Sequence, residues 1–117
     1  MMRTLAALTA VLAITATTPT AADAKPTLRQ IVAARFGHTP AMLRTAYCIV
    51  NRESQWKPWA INPSSGAAGL FQILPSAHPQ FIRSLLTNPA YNVWAAWQLS
   101  RHGRDWGPWA GGRYNCW

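Results

Sequence analysis

Leu28, Ile31, Val32 and Phe36 fall at i, i+3, i+4 and i+8, the spacing of one apolar face of a helix, and Gly37 follows as a stop. The pattern predicts a first helix over residues 27–36. Thr39-Pro40 then offers an N-cap and a proline for the first helical position, after which Met42, Ala46, Ile49 and Glu53 recur at spacings of four, three and four. A second helix therefore carries Glu53 at its end. Between Trp56 and Ile73 the period is broken by Pro58, Pro63, Ser64, Ser65, Gly66 and Gly69, which predicts a loop or short hairpin. Phe81, Ile82, Leu85 and Leu86 suggest another helix. Asn88-Pro89 announces a further one with Val93, Ala96 and Trp97 on its inner side. From His102 to Trp117 the chain is rich in glycine and tryptophan and has no clear period. The fold class read from this pattern is mainly α.

The first residues follow a different logic. Met1-Met2-Arg3 precedes an apolar, small-residue run from Leu5 to Ala16, and Ala22-Asp23-Ala24 supplies a small-x-small cleavage pattern. This reads as a secretory signal peptide over residues 1–24, because the apolar run is shorter than the roughly 20 residues a membrane-spanning helix needs. No cysteine follows the run to accept a lipid. Residues 25–117 are then enough for one compact domain and too few for two.

Composition changes this picture in two ways. The net charge is +8, and removal of the leader takes away one arginine and one aspartate, leaving the balance unaltered. Such a domain is drawn to polyanions. For an exported protein these are cell-wall polymers and anionic membrane surfaces. No basic run or nucleic-acid motif argues for nucleic acid. The same charge also serves a merely soluble basic surface, so by itself it assigns no chemistry. The second change comes from Cys48 and Cys116, the two cysteines of the chain. Export places them in an oxidising compartment, where a small domain gains from a covalent staple, and pairing them ties the second helix to the C-terminal tail.

Glu53 is the only glutamate. It lies one helical turn beyond Ile49, in register with the apolar stripe, a position that disfavours the charged carboxylate and suits a proton donor. Trp56, Trp59, the glycine-containing loop and Phe71 follow it and offer aromatic faces of the kind that stack on sugar rings. A general acid beside aromatic walls is what glycosidic cleavage requires. The competing reading is a helix-terminal glutamate paired with Arg52 or Lys57 on a solvated surface.

The string Glu53-Ser54-Gln55-Trp56-Lys57-Pro58, followed by Asn62-Pro63-Ser64-Ser65-Gly66-Ala67-Ala68-Gly69-Leu70-Phe71-Gln72-Ile73, resembles the soluble lytic transglycosylase family. The signature of that family is Glu-Ser at a helix end and then Gly-Ala-x-Gly-Leu-(Met/Phe)-Gln. Asn88-Pro89-Ala90-Tyr91-Asn92-Val93 resembles the family's later Asn-Pro-x-x-Asn-(Ile/Val) element. The resemblance covers residues 47–99 and implies a lysozyme-like helical domain with a cleft, in which one glutamate acts first as acid and then as base. Glu53 matches that glutamate. Phe71 and Gln72 match cleft residues near the substrate's N-acetyl groups, and Asn92 matches an asparagine that supports the site. Gly66 and Gly69 would permit the tight backbone path and a close approach of sugar to main chain. Two family features are altered. For the usual cleft serine, Asn62, Ser64 and Ser65 compete. For the tyrosine of the usual Ala-Tyr-Asn-Ala-Gly ending, the chain offers Tyr114 within Tyr114-Asn115-Cys116.

His38, His78 and His102 lack metal-ligand spacing, no phosphate loop is present, and Cys48 serves better as a staple than as a nucleophile. No metal or cofactor is expected. The resemblance implies a secreted monomer that cuts peptidoglycan glycan strands, without stable membrane insertion. The alternatives are a hydrolytic muramidase, a wall-binding module that has lost turnover, and a cationic membrane-active protein.

Overall fold

The computed structural model describes residues 6–15, 24–112 and 115–117. The leader's charged start and its cleavage pattern lie outside the described residues. Within it, Leu8, Val11, Leu12 and Ile14 are exposed and add nothing to the core.

Among the described residues three α-helices form the domain, each begun by the cap that local chemistry predicts. In α1 (Leu28–Phe36) the Thr27 hydroxyl accepts from Gln30 N while the Gln30 side chain accepts from Thr27 N, a reciprocal capping box. In α2 (Pro40–Ser54) the Thr39 hydroxyl accepts from Met42 N and Pro40 occupies the first turn. In α3 (Pro89–Leu99) the Asn88 side chain accepts from Tyr91 N. Helix α1 packs against both α2 and α3. At their junction Phe36 is fully buried, with Phe71, Trp97 and Trp106 at ring-centroid distances of 5.5, 5.4 and 5.3 Å. Ala46, Ile49 and Val50 of α2 and Val93, Ala95 and Ala96 of α3 complete the helical part of this core. Among the described residues, no helix is long and apolar enough to cross a membrane.

The segment 56–73 is a tight loop with two isolated antiparallel bridges, Ile61 to Ala68 and Ala68 to Ile73. The expected helix through Phe81, Ile82, Leu85 and Leu86 is not formed. Only a short 3₁₀ turn, Arg83–Leu85, stands there. Phe81 and Leu86 are buried while Ile82 and Leu85 are exposed, so the four apolar positions do not share one face. The Ile82 N–H donates to the Tyr91 hydroxyl at 2.8 Å instead of to a helical carbonyl. A segment this short between two proline-marked turns also gains too few backbone bonds to offset helix nucleation.

The tail returns to the domain through the Cys48–Cys116 disulfide, which spans 68 positions in sequence. The Thr45 hydroxyl donates to the Cys116 carbonyl beside it.

Candidate functional site

Glu53 stands in the last turn of α2, which ends because Gln55 turns into the left-handed region (φ 52°) and Trp56 follows it there (φ 62°). A carboxylate in this position meets the negative end of the helix dipole, so a nearby cation favours it. Arg52 supplies that cation. Its Nε and Nη2 both donate to Glu53 Oε1, at 3.0 and 2.9 Å. Neighbouring residues on a helix do not ordinarily face each other, and the arginine reaches across because its other contacts hold it. Nη2 also donates to the Trp109 carbonyl at 2.6 Å, and a Cβ on Gly112 would overlap the guanidinium. The Arg52 side chain is 8 % exposed and that of Glu53 27 %. Pairing with Arg52 therefore occurs, but with a buried arginine and not on a solvated surface, and the carboxylate keeps an open side.

The tail is linked to the loop below the glutamate. The Trp109 indole N–H donates to the Phe71 carbonyl at 2.8 Å, and the two rings pack edge to face. The Phe71 N–H donates to Asn92 Oδ1 at 2.8 Å, and Asn92 Nδ2 donates to the carbonyls of Ala68 and Leu86 at 2.9 and 2.8 Å. All of the Asn92 amide is thus used to join α3 to the loop. Gly69, at φ 79°, leaves room for it: a Cβ there would overlap the Leu86 carbonyl oxygen and the Asn92 amide. The need for glycine here comes from the approach of Asn92.

Phe71 and Asn92 are fully buried, so their side chains present no surface to a ligand. Gln72 is half-buried. It also takes a positive φ of 49°, uncommon for a residue with a side chain, and its Nε2 donates to the carbonyls of Ala60 and Gly69, both at 3.0 Å. With its NH₂ group so engaged, the amide oxygen is the part of Gln72 left to accept from a ligand. Gln72 and Trp109 border a cavity of about 290 Å³, shared with Leu74, His78, Leu99 and Pro108.

Asn62, Ser64 and Ser65 lie exposed at the turn of the loop. Asn62 Oδ1 accepts from the N–H groups of Ser64 and Ser65, and the Ser65 hydroxyl accepts from Ala67 N. Two of the three side chains thus hold the turn, and the Ser64 hydroxyl has no partner among the described residues. Of the aromatic faces, Trp59 alone is well exposed, at 69 %. Trp56 is packed on Tyr47 and covered by the Arg29 guanidinium at 4.3 Å. Tyr114 lies outside the described residues. The structure therefore joins Glu53, Phe71 and Asn92 in one hydrogen-bonded framework through Arg52 and Trp109, with Gln72 next to Phe71 in the chain and bonded to the Ala60 and Gly69 carbonyls. Sequence reading offered Arg52 only as one surface partner for Glu53 beside Lys57 and gave Trp109 no place; adjacency to Glu53 carries no facing signal, and the Trp109 contacts are long-range.

Asn92 provides a stability test. In Asn92→Leu the buried Phe71 N–H and the Leu86 carbonyl lose their partner, while the Ala68 carbonyl keeps the Ile73 N–H, and the expected loss is about 3 kcal/mol. Urea unfolding measures it directly. A loss below about 1 kcal/mol would show that the loop is held by other means.

A family model described as a lysozyme-like domain matches residues 30–111. No curated protein and no solved structure shows a significant match to the chain.

Proposed function

The chain belongs to the lysozyme-like domain family, and from that membership we propose that it is a peptidoglycan lytic transglycosylase, with Glu53 as its acid and base. Membership itself implies a glycan-cleaving enzyme acting on peptidoglycan. The finer reading, that the cut is non-hydrolytic, is carried by one observation: among the described residues, no carboxylate is paired with Glu53, whose partner is Arg52. The chain's other acidic residue beyond the proposed leader, Asp105, is exposed and uses Oδ1 to accept from Gly107 N at 2.9 Å, closing its own turn. An inverting hydrolase needs a second carboxylate to activate water, and a double-displacement enzyme needs one as nucleophile.

With one carboxylate, the substrate's N-acetyl group stabilises the developing cation at the anomeric carbon while Glu53 protonates the leaving oxygen. The glycosidic C–O bond between N-acetylmuramic acid and N-acetylglucosamine breaks. Glu53, now ionised, takes the proton of the muramic 6-hydroxyl, whose oxygen bonds to the anomeric carbon and closes a 1,6-anhydro ring. The glutamic acid is regenerated and no water is consumed. Gln72 accepts from the substrate through its amide oxygen, Ser64, whose hydroxyl holds no turn contact among the described residues, donates to the N-acetyl group, and the exposed ring of Trp59 stacks on sugar. Phe71 and Asn92 support this surface from beneath, and Tyr114 is kept as a contact of the glutamate. No cofactor takes part.

The disulfide and a peptidoglycan substrate agree with an extracytoplasmic site of action. We assign residues 1–24 as a cleaved signal peptide, with residues 25–117 acting as a monomer at the cell wall. The exposure of the leader's apolar side chains supports this.

Digestion of purified peptidoglycan by the mature domain, followed by mass spectrometry, tests the reading. The expected fragments end in anhydromuramic acid, each lighter by one water than a hydrolytic product. Reducing muramic ends alone would make the enzyme a hydrolytic muramidase. Wall binding without fragments would make it a binding module.

A further inference from the structure

We propose that Arg52 is a positioning residue for the reaction: it reserves Glu53 Oε1 for its own N–H groups, and so makes Oε2 the oxygen that carries the proton. The inference rests on the reading of Glu53 as acid and base.

Both Arg52 donors converge on Oε1. A proton on that oxygen would face two N–H hydrogens, whereas a proton on Oε2 leaves both bonds intact, with Oε1 as the carbonyl oxygen of the acid. An arginine cannot itself release a proton at any pH the enzyme meets. It therefore serves in both halves of the reaction without competing for the proton. When Glu53 donates, the acceptor of the same two bonds becomes charged as well and they strengthen into an ion pair, which stabilises the carboxylate at the moment it forms.

The arginine is itself aimed from the tail. Trp109 offers its carbonyl to Nη2 while its indole is fixed to the Phe71 carbonyl, and the backbone at Gly112 closes against the guanidinium. The planar fork spans two partners: Nε and Nη2 donate to the carboxylate, and Nη2 also to the tail. Lysine keeps the charge but presents a compact point donor that cannot span both partners in this geometry. Through Arg52, the polypeptide between α3 and the disulfide is coupled to the orientation of a carboxylate on α2.

The test compares the wild type, Glu53→Gln, Arg52→Lys and Arg52→Ala on purified peptidoglycan, with melting curves for each protein. Arg52→Lys is expected to lower kcat by about 10- to 100-fold, the usual range for a residue that orients a functional group, while KM stays within about twofold. In Arg52→Ala, guanidinium chloride at sub-denaturing concentration restores part of kcat, and sodium chloride at the same ionic strength does not. A purely structural arginine would show neither the split nor the rescue. Full kcat in Arg52→Lys overturns the proposal, as does a loss that follows the folded fraction or a failure of guanidinium to rescue a folded Arg52→Ala. An inactive wild type, or an active Glu53→Gln, instead overturns the reading of Glu53 and takes the role of Arg52 with it.

Discussion

Glu53→Gln removes peptidoglycan cleavage by about 10³-fold, within the range a general acid and base contributes, while the protein still melts as the wild type does and still binds cell wall. The amide is nearly isosteric with the acid. Its oxygen can take the place of Oε1 and accept the two Arg52 donors, so the framework from α2 to Trp109 is kept. What it lacks is a proton to give and a basic oxygen to take one back. The measurement is release of soluble muropeptides, set beside wall sedimentation for binding. Asp105→Asn is the informative partner: it perturbs only the turn at Gly107 and leaves the rate within about twofold, as expected of an exposed side chain whose hydrogen bond lies within its own turn. Equal losses in the two variants would mean that two carboxylates share the work, and the single-carboxylate route would fail.

The second large effect comes from opening the disulfide. Cys48 and Cys116 enclose a segment of 68 positions, and in the chain-entropy model such a loop contributes about 4 kcal/mol by restricting the unfolded chain. Against the 5–15 kcal/mol typical of whole domains, that is a large share. Reduction, or Cys48→Ser with Cys116→Ser, is expected to lower Tm by about 20 °C for a domain of this size. Activity should fall before the fold does. The tail carries Trp109, which covers Phe71 and holds Arg52, and releasing its anchor loosens both contacts while α1, α2 and α3 remain packed. Thermal melts with and without reductant, alongside muropeptide release below the transition, separate the two losses. A Tm unchanged by reduction would show that packing alone secures the tail. Alkylation of both thiols without reductant would show that the bond does not form in the exported protein.

Much of this was readable in the chain because it is local. Thr27, Thr39-Pro40 and Asn88-Pro89 start helices through hydrogen bonds to groups three residues away, and a one-dimensional reading reaches that far. Membership in the lysozyme-like family was likewise legible in the ordered run from Glu53 to Ile73 and again at Asn88 to Val93, since short motifs with fixed spacing survive as text. The pairing of Cys48 with Cys116 needed only a count of two and an oxidising destination.

What the text could not carry was direction. Phe81, Ile82, Leu85 and Leu86 have the spacing of a helix, yet Leu86 is drawn inward beside Asn92 and Ile82 is tied to Tyr91, so tertiary contacts overrode the period. Phe71 reads as an aromatic wall, and its ring instead packs into the core on Phe36 and Trp109. Asn92 reads as a residue of the cleft, and its amide is consumed by three buried backbone groups, because a buried N–H or carbonyl must find a partner and this side chain is the one at hand. Above all, adjacency in sequence says nothing of whether Arg52 faces Glu53. That is decided by the Trp109 carbonyl, 57 positions away, which comes within reach only after the helices have packed and the tail has folded back.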